Sequence, residues 1–187
     1  HCSPRVKTIL IKNRLRSIDD LILYKSTHNG FKSLPGAGRK TQLEIESLLS
    51  QYMIDEINVG MKKQFNKIIS ESMVNDFAKL SGDYNPLHVN EEYASKTNFK
   101  KRVCHGMLLT SFFSRLIGMY LPGKHALLFS QSLNFVNPCF IDDKITIYGE
   151  IISKNESTKT ITVYANITNQ EKKKIVYGEI RVLLRGD

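Results

Sequence analysis

Along the chain the spacing of apolar residues changes character once. Up to about Tyr52 they recur at helical intervals: Val6, Ile9 and Leu10, then IDDLILY behind Ser17, then TQLEIESLLSQY with Leu43, Ile45, Leu48 and Leu49 to one side. Such intervals gather side chains on one helix face, and a serine just before the second run is a ready N-cap. Beyond a seam at Tyr52 to Gly60 comes a strand candidate, QFNKIIS, and then ESMVNDFAKLSG, a short helix aligning Met73, Phe77 and Leu80 with Ser70 or Ser72 as its cap. HGMLLTSFFSRLIGMYL follows, apolar nearly all round with Arg115 its single charge. A helix of that kind has to be wrapped by something. The wrapping comes next: ALLFSQSLNFV, KITIYGEIIS, TITVYANITN and KIVYGEIRVLLR alternate apolar and polar residues at the period of a half-buried strand. The last three would share a buried face made by Ile145, Ile147 and Ile151, by Ile161, Val163 and Ile167, and by Ile180, Val182 and Leu184. The pattern therefore predicts an α+β chain. Residues 1–53 form a small all-helical domain, and residues 54–187 an antiparallel sheet wrapped around one long buried helix.

Composition narrows the class. With 187 residues, 41% hydrophobic and 24% charged, the chain reads as an ordinary soluble globular protein. No apolar run approaches the ~20 residues of a membrane span, and HCSPRVKTIL has no secretory-signal pattern, so a cytoplasmic protein without membrane contact is expected. Three cysteines with no CxxC pair encode neither a disulfide framework nor a zinc site, and Cys104 and Cys139 are expected as reduced, packed thiols. The net charge of +9 favours phosphate-bearing partners. It is densest at the start, where residues 1–53 carry nine Lys+Arg against four Asp+Glu.

The stretch SGDYNPLHVNEEYA, from Ser81 to Ala94, interrupts the helical pattern with an acid, an amide, a proline and a histidine. Asn-Pro disfavours helix at Asn85 and pins the loop, so that Asp83 and His88, five apart, can converge on one point and hold a water between them. FAKLSGDYNPLHVNEEYA followed by RVCHGMLLTSFFSRL resembles the signature of the MaoC-like, R-specific enoyl-CoA hydratases of the hot-dog fold, and the similarity continues through LPGK and QSLNFVNPCFIDD. Gly82, Asp83, Asn85, Pro86, His88, Asn90, Ala94, His105 and Gly106 stand where that pattern puts them.

The resemblance implies a reversible enoyl-thioester hydratase, or 3-hydroxyacyl dehydratase. Water addition to a conjugated thioester needs a base for the water, an acid for the α-carbon and a donor for the enolate oxygen. By resemblance Asp83 and His88 activate the water and return a proton, and the product is the R-3-hydroxyacyl thioester. The Gly106 N–H, at the start of the buried helix, is the expected oxyanion donor, since helix N-termini carry free N–H groups. Ser114 matches a serine that the family places near the catalytic pair. Asn85 is expected beside the substrate or bracing the loop, and Ile117 at the far end of an acyl tunnel. Lys100, Lys101 and Arg102 are candidates for contact with the carrier's phosphates. No metal or redox cofactor is called for, and the acyl group rides on coenzyme A or on the phosphopantetheine of an acyl carrier protein. A homodimer with sheets joined edge to edge is implied. Two alternatives stay open: a hot-dog acyl thioesterase, and a DNA-binding protein whose hot-dog domain serves for dimerisation.

SPRVKTILIKNRLRSIDDL followed by LPGAGRKTQLEI is similar to the C-terminal domain of the bacterial RNA polymerase alpha subunit, a helical domain related to helix-hairpin-helix modules. The resemblance implies DNA held in the minor groove by Arg5, Gly38, Lys40 and Thr41, with GAGRKT offering free N–H groups and a cation to backbone phosphate. The sequence departs from the pattern at Thr8, where asparagine is usual, and at Arg14, where glycine is usual. The other reading is a helical appendage that packs on the enzyme or on another protein.

Overall fold

The computed structural model describes residues 2–185. The chain divides into two compact units, one reaching from the N-terminus to Ile57 and joined by Arg185, the other Asn58–Leu184.

In the first unit, Ser3 caps α1 (Pro4–Lys12) by accepting the Val6 N–H, with Pro4 at the first helical position, where its missing N–H costs nothing. Helix α2 (Ile18–Thr27) opens with a reciprocal capping box between Ser17 and Asp20. The N–H groups of Arg16 and Ser17 on the Asp20 carboxylate hold its pKa below the ordinary value. Helix α3 (Arg39–Asp55) completes a core of Val6, Ile9, Leu21, Phe31, Leu34, Ala37, Ile45 and Leu49. Leu43 lies outside that core and is 58% exposed. It is two residues from Ile45, about 200° around the helix, so the two cannot share a face. A domain bound at residue 53 would fall within α3; the units part after Ile57, inside the expected seam at Tyr52 to Gly60. Arg14 takes φ 60 just after α1, with Leu15 N–H on Leu10 O at 2.9 Å and Arg14 N–H on Ile11 O at 3.0 Å. This is a Schellman closure, so arginine holds the left-handed position that glycine takes without strain.

The second unit is a five-stranded antiparallel sheet in the order β1-β3-β4-β5-β2, from β1 (Lys62–Ile68), β2 (Ala126–Phe135), β3 (Lys144–Asn155), β4 (Thr160–Thr168) and β5 (Lys174–Leu184). The inner strands bury the expected residues, all within 2% of full burial. Register aligns them in rows: Ile151 with Val163 and Ile180, and Ile147 with Ile167, Val176 and, on β2, Phe135. The outer strands do not alternate in this way, and β2 is exposed along most of its length, because it pairs on one side only.

Helix α7 (Gly106–Met119) lies on the sheet with Leu108, Leu109, Thr110, Phe113, Leu116 and Ile117 buried. It was expected to be wrapped all round. In the single chain one side stays open, with Met107 57% and Met119 68% exposed. Gly149 makes room for it, since a Cβ there would lie 2.6 Å from Leu116 Cδ2. Helix α4 (Glu71–Ser81) is capped by Ser70, and Ser72 bonds to the Ser70 hydroxyl. Its buried residues are Val74 and Ala78, while Leu80 is 84% exposed. The buried stripe is therefore rotated one residue from Met73 and Phe77, and Leu80 in the last turn falls off its edge. Among the described residues no helix is long and apolar enough to cross a membrane.

Candidate active site

The loop after α4 is built from local hydrogen bonds. Gly82 ends the helix at φ 77 with its N–H on Ala78 O. Ser81 Oγ accepts the Asp83 N–H at 3.2 Å, and Asp83 Oδ1 accepts the Asn85 N–H at 3.1 Å, which closes an Asx turn. Asn85 then caps the one-turn helix α5 (Pro86–Val89), its Oδ1 accepting the Leu87 N–H at 3.0 Å. Its side-chain oxygen is thus spent inside the loop. Asn90 does the same for α6 (Glu91–Ser95), accepting the Tyr93 N–H. His88 projects from α5 with Nδ1 2.7 Å from the Val103 carbonyl. A carbonyl only accepts, so Nδ1 carries a hydrogen, which in the neutral imidazole leaves Nε2 bare.

A strap formed by residues 102–106 runs beside this loop and holds it at several points. Arg102 is only 6% exposed; it donates from Nε to His88 O, and from its two terminal nitrogens to Glu71 Oε1 and Asn75 Oδ1, each at 2.6 Å. The grouping of Arg102 with Lys100 and Lys101 as a phosphate contact is therefore corrected: its guanidinium is turned inward and fully engaged. Lys101 Nζ sits 4.3 Å over the Phe140 ring. The Val103 N–H donates to Leu87 O at 3.2 Å, and the Cys104 N–H to Cys139 O at 2.8 Å. His105 Nε2 lies 3.0 Å from Asp83 O and 4.0 Å from Asp83 Oδ2. None of these strap contacts was read from the sequence. The one available signal was Glu71 and Asn75, four apart on one face of α4, offering two acceptors to a single cation.

One ligand atom each from Asp83, His88 and His105 lie within 4.8 Å of one another. Two groups that each bond one water at about 2.8 Å stand about 4.6 Å apart, so a carboxylate oxygen of Asp83 and a ring nitrogen of His88 lie within reach of one shared water. The same spacing would suit a metal ion. His105 Nε2, 4.0 Å from Asp83 Oδ2, donates to Asp83 O and in that role offers no lone pair.

His88 and Gly106 line one cavity of about 470 Å³ whose other walls include Cys104, Leu109, Phe135 and Cys139. Gly106 is the first residue of α7, so its N–H has no intrahelical acceptor. A Cβ there would lie 2.7 Å from Phe135 Cε1, so any larger residue would force the ring or the helix start to shift. The Cys139 thiol is pushed far above the usual range, first by its hydrogen bond with the Cys104 thiol and then by burial, so it stays protonated beside any electrophilic substrate. Ser114 lies two turns along α7 on the exposed side. Ile117 is buried and outside this cavity's wall. In the first unit Arg5 and Lys40 are exposed, Gly38 is the N-cap of α3 without a side-chain cap bond, and Thr41 is buried.

Residues 55–173 match the model of the MaoC like domain, and the chain belongs to this family. It is 38% identical over 128 residues to an (R)-specific enoyl-CoA hydratase of Aeromonas caviae, covering 68% of this chain and 96% of the relative. The solved structure of an (R)-hydratase from A. caviae superposes with TM-score 0.67 over 69% of this chain and 98% of that one. An (R)-specific enoyl-CoA hydratase of Rhodospirillum rubrum is 37% identical over 142 residues, 76% of this chain and 97% of the relative. A mitochondrial 3-hydroxyacyl-[acyl-carrier-protein] dehydratase of Arabidopsis thaliana is 33% identical over 131 residues, 68% of this chain and 78% of the relative.

Proposed function

We propose that this protein is an R-specific enoyl-thioester hydratase, reversible as a 3-hydroxyacyl dehydratase. One observation carries the reading: a carboxylate oxygen of Asp83 and a ring nitrogen of His88 lie within reach of one shared water, and His88 lines the same cavity as Gly106, the first residue of α7. In hydration the water oxygen bonds to C3 of the enoyl group while a water proton passes to the Asp83/His88 pair. The C2–C3 π electrons shift toward the thioester oxygen, where Gly106 N–H stabilises the developing charge. The enolate then collapses, and C2 takes a proton from the same pair. Dehydration runs these steps in reverse. No metal or redox step is needed, and the acyl group is carried on coenzyme A or on phosphopantetheine of a carrier protein, as the names of the relatives suggest. A water held beside a helix N-terminus can serve hydration or thioester cleavage, and hydration is favoured because the relatives are named as hydratases and dehydratases. We place the second copy of a homodimer on edge strand β2, where Leu127, Leu128 and Phe129 are exposed on a strand with one open side.

Hydration of crotonyl-CoA, followed by loss of enoyl-thioester absorbance, tests the reading. Folded Asp83→Asn and His88→Ala variants are expected to lose at least ~10²-fold in kcat. A wild type silent with short and long acyl groups on both carriers would sink it.

A nucleic-acid role for the first unit has one observation in its favour. The N-terminus of α3 lacks both a side-chain cap and an acidic residue in its first turn, and it carries Arg39 and Lys40. Such a role requires salt-dependent duplex DNA binding that weakens in Lys40→Ala. Equal binding by both proteins, or none, leaves this unit as a packing module.

A further inference from the structure

His105 has no part in the steps above, yet it is only 2% exposed and lies against both residues that handle protons. Its Nε2 is 3.0 Å from the Asp83 carbonyl, 22 residues back in sequence. Since that carbonyl can only accept, Nε2 carries the hydrogen and Nδ1 is bare. Nδ1 has no hydrogen-bond partner, an unfavourable condition for a buried polar group. A phenylalanine would fill the same space without that cost. The histidine is accounted for by what its other nitrogen and its flat face do. Its ring packs against His88 with centroids 4.0 Å apart and planes tilted by 32°, and against Phe77 at 5.1 Å.

We propose that His105 is a positioning residue, which fixes Asp83 through the main chain with one nitrogen and seats the His88 imidazole with its ring face. The proposal rests on the hydratase reading and deepens it. Asp83 is carried on a loop whose nearest ties are its own short turns, and its side chain is half exposed. The His105 bond ties that loop to the residue immediately before Gly106. The base pair and the oxyanion donor are thereby set in one frame, and a displacement of about 1 Å within such a frame costs on the order of 10²-fold in rate.

Four proteins test this: wild type, His105→Gln, His105→Phe and His105→Ala, each checked for folding by thermal melt and assayed with crotonyl-CoA. Glutamine carries an amide donor about as far from the backbone as Nε2, whereas phenylalanine keeps the ring contact and the volume without the donor. Loss of kcat by about 10- to 100-fold in the Phe and Ala variants is expected, with KM within about threefold and most of the rate restored in His105→Gln. Nitrogen-15 spectra of the wild type, independent of activity, should place the His105 hydrogen on Nε2. The proposal is overturned if His105→Phe turns over within about threefold of an active wild type, or if the hydrogen lies on Nδ1. An inactive wild type with the Nε2 tautomer in place would instead strike the hydratase reading.

Discussion

Replacing Gly106 by alanine puts the oxyanion donor under a defined stress. The added methyl would meet three carbons of the Phe135 ring at 2.7, 3.1 and 3.4 Å. Carbon atoms in good contact stand about 3.5–4.0 Å apart, so the ring or the start of α7 must give way by about 0.8 Å. Phe135 is 52% exposed on an edge strand and can turn, which keeps the stability loss near 1 kcal/mol, the low end for overpacking. Catalysis suffers more. A shift of the helix start misaims the Gly106 N–H, and a shift of the ring narrows the cavity that both residues line. Removing an oxyanion donor outright costs about 10²–10³ in rate, so a displaced one should lower kcat/KM by about 10- to 100-fold. Crotonyl-CoA hydration measures this, with urea unfolding alongside. Because the clash lies with one ring, Phe135→Leu in the Gly106→Ala background should restore most of the lost activity. The reasoning fails if Gly106→Ala alone keeps kcat/KM within about threefold, or if the second substitution restores nothing.

Other outcomes follow from the strap and from the first unit. Arg102→Met deprives His88 O and Asn75 Oδ1 of a donor, at about 1–3 kcal/mol each where buried, while the 63% exposed Glu71 loses little. Urea unfolding should show a loss of about 2–5 kcal/mol together with lower kcat, and a change below about 0.5 kcal/mol would count against the clamp. Asp20 has its folded pKa below the ordinary value, so its contribution to α2 is complete above about pH 4 and fades as the pH falls through the lower folded value. NMR shifts of α2 amides followed into acid should show that transition in the wild type and not in Asp20→Asn.

The parts of this fold that sequence discloses are those in which one periodicity operates alone. Strands β3, β4 and β5 have neighbours on both sides and a helix on one face, so alternate isoleucines and valines map directly onto the buried face. Where geometry intervenes, the pattern misleads. Leu43 and Ile45 look like one apolar run but point apart on a helix, and Leu80 has the right spacing at the wrong end of α4. Helix α7 is apolar all round, yet one chain covers only one side of it. In the site, the approach of Asp83 to His88 was legible because their motif is local. The contacts of Arg102 and His105 were not, because a buried clamp and a solvated charge look alike in sequence, and the acceptors they satisfy, two of them main-chain and two side-chain, lie far along the chain.

Val103 and Cys104 hold their neighbours through the backbone: one engages Leu87 and His88, the other Cys139, while both residues also line the cavity beside His88. The frame that aims the catalyst and the surface that measures the substrate are therefore separate parts of the same two residues. Substitutions at these positions can recut the cavity for longer or bulkier acyl groups while the main-chain bonds that orient the imidazole stay in place. The strap is thus a place where substrate range can change without the reaction itself being rebuilt.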